Sequence, residues 1–103
     1  MTLRYEIQRT SRFKRDFALV ERRGCEISLL ADVIRALASG ETLPRQYRDH
    51  TLSGDYAEYR ECHIRPDWLL IYKITEEVLV LTLERTGTHS DLFKKYIYAG
   101  FAG

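Results

Sequence analysis

Tyr59-Arg60-Glu61-Cys62-His63-Ile64, then Arg65-Pro66-Asp67, then Trp68-Leu69-Leu70-Ile71-Tyr72-Lys73-Ile74, then Thr75-Glu76-Glu77, then Val78-Leu79-Val80-Leu81-Thr82-Leu83-Glu84-Arg85 is the stretch that decides the fold. Its first run alternates, and its second is dense in aromatic and branched side chains. In the third, Leu79, Leu81 and Leu83 recur at the two-residue spacing that puts side chains on one face of a strand. Proline and short acidic segments separate the runs, so the stretch reads as an antiparallel three-stranded meander.

Toward the N-terminus the period changes from two to about 3.6. Ile27, Leu30, Ile34 and Leu37 predict a helix from about Glu26 to Ser39, which Gly40 stops. Before it, Phe13, Phe17 and Val20 form the apolar stripe of another helix, capped by Thr10 or Ser11 and ended by Gly24. The short link from Arg22 to Cys25 makes the two an antiparallel pair. Tyr5 to Arg9 reads as a strand with Tyr5, Ile7 and Arg9 on one face. Between helices and meander, Glu41 to Glu58 has no period and reads as a long ordered loop, a feature that in so small a domain is usually functional. After Gly87, Ser90 to Phe93 reads as a helical turn. Lys94 to Gly103, with Tyr96, Ile97, Tyr98 and Phe101, reads as a C-terminal extension: an edge strand, a partner-binding segment or a frayed tail. The expected class is α+β, in the order strand, two helices and three-strand meander, with the helical hairpin packed on one face of a mainly antiparallel sheet.

Residues 1–103 are expected to form one domain, because 45% hydrophobic residues over that length suit a single core. The composition, with 30% charged residues, two prolines and six glycines, excludes collagen-like and low-complexity classes. Apolar runs fall far short of the ~20 residues that span a bilayer, and the first ten residues carry no apolar signal segment. A cytoplasmic protein with no membrane contact is expected, and with it reduced thiols at Cys25 and Cys62. The net charge is +1, but residues 1–48 carry ten Lys/Arg against six Asp/Glu, and residues 49–103 carry six against nine. A helical face with Arg12, Lys14, Arg15, Arg22, Arg23 and Arg35 could therefore meet phosphates, or could be a solvated surface.

His50, His63 and His89 all lie in the second half, at borders between regular structure and loop. In a meander the end of the first strand adjoins the following turn, and the end of the third returns to the same edge of the sheet. His63, Asp67 and His89 can therefore converge, and the loop can deliver His50. Histidine donates or accepts a proton near neutral pH, so two can serve as base and acid in one turnover. Cleaving RNA through its own 2′ hydroxyl needs only such a pair, charge stabilisation on the phosphate and in-line geometry. Taken singly, each histidine is as readily a structural residue. A zinc site is disfavoured by the lack of short His-x-x-x-His or Cys-x-x-Cys spacing, so no metal and no cofactor is expected.

Tyr47-Arg48-Asp49-His50, Leu52, Gly54, the run Tyr59 to Lys73 and the closing Glu84-Arg85-Thr86-Gly87-Thr88-His89-Ser90-Asp91-Leu92-Phe93 closely resemble the YafQ-like toxins of the RelE/ParE superfamily. The resemblance covers about half of the chain in motif and the whole in element order, and departs from it at Glu58, where many relatives have glycine, and past Phe93. It implies the toxin of a type II toxin-antitoxin system, an endoribonuclease that cleaves mRNA in the A site of the 70S ribosome without a metal and that a cognate antitoxin holds inactive. It carries His50, His63, Asp67 and His89 over as the catalytic group, with His50 the general base, His89 the general acid, and His63 and Asp67 positioning the phosphate. It also implies an aromatic role for Phe93 near the scissile nucleotides. Further candidate RNA contacts are Arg60 and Arg85, against pairing with nearby carboxylates, and Trp68, for which core packing is favoured. Cys62 alternates away from His63, against a Cys-His nucleophile pair. The competing reading is a non-catalytic, ParE-like toxin or binding module acting on a target such as gyrase, which would have no need of titrating groups.

Overall fold

The computed structural model describes residues 3–93; the extension at residues 94–103 lies outside the described residues. The chain runs β1 (Glu6–Arg9), α1 (Ser11–Arg22), α2 (Ile27–Ala38), β2 (His50–Thr51), β3 (Arg60–Arg65), β4 (Trp68–Thr75) and β5 (Val80–Gly87). Among the described residues the strands form one sheet in the order β1-β5-β4-β3-β2. The pairings are antiparallel except β1 with β5, which is parallel. The α+β architecture expected from the periodicities is the one observed.

Local chemistry explains the helix ends. The Thr10 hydroxyl accepts from the Phe13 amide at 3.0 Å, satisfying one of the unpaired donors of the first turn of α1, and donates to Glu84 O at 2.9 Å, which ties the cap to β5. Gly24, at φ +80°, makes the left-handed turn between the helices. Phe13, Val20, Leu30, Val33 and Leu37 are buried from the helices, against Cys62, Ile64, Trp68, Leu70, Tyr72, Leu81 and Leu83 from one face of the sheet. In α2 the buried stripe is centred on Leu30, Val33 and Leu37, with Ile27 and Ile34 at its margins. Each fully buried aliphatic side chain contributes about 1.5–3 kcal/mol, so this layer dominates the stability.

Three expectations change. Tyr5 is buried ahead of β1, while all four residues of β1 are exposed, because the strand is an edge that extends the sheet rather than filling it. The hairpin after β4 is longer than Thr75-Glu76-Glu77: Leu79 sits in the turn at φ +52° and is 45% exposed, so the inward leucines begin at Leu81. The segment from Glu41 to Glu58 is not an uninterrupted loop, since it holds single 3-10 turns at Arg45–Tyr47 and Gly54–Tyr56 and, between them, β2 paired with β3. No helix of the described residues is long and apolar enough to cross a membrane.

Among the described residues the opposite face of the sheet carries a smaller apolar cluster. Leu69 and Ile71 are buried there beneath Leu92, with Leu52, Tyr56, Tyr59 and Phe93 packed around them. This face, at the β2–β3 side, carries the candidate site.

Candidate active site

Register brings the site together. His63 of β3 pairs with Leu69 of β4, and Leu69 pairs with Gly87 of β5, so the ends of the first and third meander strands stand abreast with one residue between them. Two residues after Gly87 the chain delivers His89. On the other side, His50 in β2 pairs with Glu61, two residues before His63 and on the same face of β3. The convergence of His63, Asp67 and His89 follows the meander argument. His50 arrives on a paired strand, not on the irregular loop expected from the sequence.

The three imidazoles form a row. Ring centroids are 6.4 Å apart for His50 and His63, and 6.1 Å for His63 and His89. His89 lies 6.1 Å from the Phe93 ring, which in turn meets Tyr56 edge-on at 6.4 Å. Each ring is anchored from behind. His50 Nδ1 is 2.6 Å from Arg48 O, and His63 Nδ1 is 3.2 Å from Pro66 O. A carbonyl only accepts, so both Nδ1 atoms carry the proton, which leaves each Nε2 for exchange with a substrate. Asp67 Oδ1 is 3.5 Å from His89 Nδ1 and accepts from the His89 amide at 3.4 Å.

A capping box sets His89. The Thr88 hydroxyl accepts from the Asp91 amide at 3.1 Å, and the Asp91 carboxylate accepts from the Thr88 amide at 2.9 Å. The helical turn observed at residues 89–93 therefore starts with His89 and places Phe93 one turn later. Asp91 also takes both arms of Arg23 from the end of α1, at 2.6 and 3.0 Å. That hydrogen-bonded guanidinium, with help from Thr88, holds the Asp91 carboxyl down at about 2 despite partial burial. Thr88-x-x-Asp91 is a capping signal legible in the sequence, although hydrophobic period does not reveal it.

The remaining candidates do not join this group. Trp68 faces the helix side, 6% exposed, with its indole N–H donated to the Thr86 hydroxyl at 3.0 Å, so it packs in the core, the placement the sequence favoured. Arg60 also lies on that side, held by Asp49 at 3.2 Å, because β3 alternates and Arg60 shares the face of Cys62. Arg85 is on the site face, but Asp16 of α1 grips it through both carboxylate oxygens at 2.6 and 3.1 Å. Both arginines thus pair with carboxylates brought by other elements. Burial pushes the Cys62 thiol well up, which suits packing and not nucleophilic attack. Of the basic helical face, Arg23 is tied to Asp91 and Arg35 to Asp32, while Arg12, Lys14, Arg15 and Arg22 stay exposed. Among the described residues no group of three His, Cys, Asp or Glu side chains is placed to hold a metal ion.

The sequence reading missed Glu61 as part of the site. It is 5% exposed, and its Oε1 lies 3.4 Å from His50 Nε2 and 3.8 Å from His63 Nε2.

The model of a bacterial toxin of type II toxin-antitoxin systems, YafQ, matches residues 5–94, which include every residue of the row and its supports. The chain belongs to the YafQ family. It is similar to the mRNA interferase toxin YafQ of Escherichia coli K12, at 37% identity over 89 residues, covering 85% of this chain and 95% of that protein. It also resembles a putative toxin YafQ of Haemophilus influenzae, at 32% identity over 90 residues, covering 82% and 88%. Its fold matches the crystal structure of the Escherichia coli DinJ-YafQ complex with TM-score 0.80 and 37% identity, over 86% of this chain and 98% of that one. This YafQ-family chain is thus the toxin of a type II pair, of the mRNA-interferase kind, and an endoribonuclease.

Proposed function

We propose that this endoribonuclease toxin cuts mRNA in the ribosomal A site by general acid/base catalysis of 2′-hydroxyl attack, and that a cognate antitoxin protein holds it inactive. The observation that carries the reading is the row of three imidazoles 6.4 and 6.1 Å apart, with Asp67 behind one end and an aromatic wall beyond it. In-line displacement at phosphorus places the attacking 2′ oxygen and the departing 5′ oxygen on opposite sides. The two ends of such a row suit base and acid, and the middle ring suits the phosphate. His50 takes the 2′ proton, His89 protonates the 5′ oxygen, and His63 with Asp67 positions the phosphate and its neighbours. The strand scission needs no external nucleophile or cofactor. Phe93, lining a 470 Å³ cavity with Leu52, Tyr56 and His89, stacks on a base next to the scissile bond, a contact worth about 1–3 kcal/mol.

The exposed Arg12, Lys14, Arg15 and Arg22 face ribosomal RNA, and acidic groups of the antitoxin can cover the same surface. The similarity to a toxin crystallised with DinJ supports a protein partner. Ribosome-bound chemistry puts its action in the cytoplasm.

The test is cleavage of a short mRNA on programmed ribosomes with one 2′-deoxynucleotide at the mapped cut. Loss of that cut alone is expected; cleavage at the deoxy position would sink the mechanism. Growth arrest that survives a His50/His63/His89 triple substitution would instead favour a non-catalytic toxin.

A further inference from the structure

On the helix side of the sheet, behind the first imidazole, lies a bonded group that takes no part in the row. Asp49 turns its carboxylate there, and Oδ1 accepts from the Arg60 guanidinium of β3 at 3.2 Å and from the Tyr72 hydroxyl of β4 at 2.5 Å. Tyr72 is 1% exposed and Asp49 is partly buried, so each needs its partners: a buried hydroxyl without an acceptor and a buried carboxylate without a cation are both costly. The three side chains fasten the segment ahead of β2 to two central strands.

Asp49 stands between two residues of unusual duty. Arg48, before it, closes the 3-10 turn at φ +48°, a left-handed conformation that is unfavourable for a residue with a Cβ and persists only where its surroundings hold it. His50, after it, alternates to the histidine face, and its Nδ1 donates to the Arg48 carbonyl at 2.6 Å. β2 itself restrains little, being two residues long and paired only with β3. The carbonyl that sets the His50 tautomer thus belongs to a strained residue, and the side chain that secures the far end of that turn is Asp49.

We infer that Asp49 is a positioning residue: clasped by Arg60 and Tyr72 on the helix side, it holds Arg48 in the left-handed turn whose carbonyl keeps the His50 proton on Nδ1 and leaves Nε2 open as the base. The inference rests on the acid/base reading above. In the step it serves, the 2′ O–H bond breaks, its proton goes to His50 Nε2, and the oxygen's electron pair forms the new bond to phosphorus, while the 5′ oxygen leaves with a proton from His89. The other tautomer carries its proton on Nε2 and cannot accept one there. Asp49 touches no substrate and takes no proton. It sets how much of the toxin has its base open, so its loss lowers the rate of the chemical step and not the binding of RNA.

Asp49→Ala, Arg48→Gly and the Asp49→Ala/Arg48→Gly double variant are compared in cleavage of mRNA on programmed ribosomes, and the His50 tautomer is read in the free toxin from the nitrogen chemical shifts of its ring. Asp49→Ala is expected to move His50 from the Nδ1–H toward the Nε2–H form, while His63, pinned by the Pro66 carbonyl, keeps its proton on Nδ1. Its kcat should fall about 10- to 100-fold with KM within about twofold, a fraction of the full effect of a general base. Asp49→Asn, which keeps the reach and one acceptor, should fall between the two. Glycine adopts the left-handed conformation without a Cβ penalty, so Arg48→Gly in the Asp49→Ala background should recover part of both the rate and the Nδ1–H signal, a rescue that mere loss of stability would not show. An unchanged His50 tautomer or wild-type kcat in folded Asp49→Ala overturns the inference, as does a loss carried by KM or a double variant no faster than Asp49→Ala. Slow His50→Ala and His89→Ala controls leave the nuclease reading intact in those cases. If both controls retain full rate, the acid/base reading fails and this inference with it. If Asp49→Ala does not fold, Asp49→Asn and Tyr72→Phe, which removes one of the two groups clasping Asp49, decide by the same criteria.

Discussion

Asp67 and His89 are 22 positions apart in the chain, yet the Asp67 carboxylate reaches both the backbone amide and the Nδ1 of His89, at 3.4 and 3.5 Å. One carboxylate therefore clamps the turn after β3 to the start of the last helical turn. Asp67→Asn keeps an acceptor for the amide but removes the charge beside the ring. Cleavage should fall by roughly 10-fold or more, and His89→Ala by about 10²–10⁴-fold, with little change in unfolding midpoint because both side chains are exposed. Single-turnover rates on programmed ribosomes check this. Full activity in His89→Ala would remove it from the proposed mechanism.

Asp91 gives the fold an acid-sensitive clasp. Its folded-state value, about 2, lies below the ordinary carboxylate value of 3.8, so the folded protein binds this proton less readily than the unfolded chain. The stabilisation is present above about pH 4 and is lost as the pH falls through about 2. It amounts to about 1–2 kcal/mol, held down by the partial exposure of Arg23. Urea unfolding at pH 7 and pH 2.5 should show the Asp91→Asn penalty shrinking at the lower pH. An equal penalty at both would contradict the assignment.

Gly87 joins β5 to the histidine turn at φ +152°, where a Cβ would lie 2.8 Å from Asp91 Oδ2. Asp91 cannot retreat without giving up Arg23 and the Thr88 amide. Gly87→Ala is expected to cost about 1–3 kcal/mol and to weaken cleavage by misplacing His89. Chemical denaturation and the same cleavage assay report the two effects. A stable, fully active Gly87→Ala protein would show that the turn relaxes freely.

Trp68 distinguishes packing from RNA contact. Trp68→Phe loses the bond to Thr86, costing about 1 kcal/mol, and should retain near wild-type cleavage. Trp68→Ala should cost about 3–5 kcal/mol by leaving a core cavity. A folded Trp68→Phe variant whose KM rises tenfold would return this residue to the RNA surface.

Much of the architecture was legible because it is local. Phe13 and Val20 bury at the positions that their helical spacing assigns, Thr10 caps as a hydroxyl at that position should, and the meander follows from two-residue alternation. The site was legible in part because a meander necessarily returns to one edge, which joins His63 to His89. His50 was harder: a two-residue strand has no periodicity of its own and exists through pairing with Glu61 and Arg60.

Sequence alone determined the two helices, the strands with a period of their own, their order and the kinds of chemical group available, since propensity, capping and side-chain period act over a few residues. Tertiary structure decided what depends on distant segments meeting. It set β1 parallel beside β5, turned Arg60 and Trp68 away from the histidines, gave Arg85 to Asp16, and buried Glu61 between two imidazoles. Alternation says which residues share a face, but only the packing of the helices against one face decides which side is core and which carries the histidines.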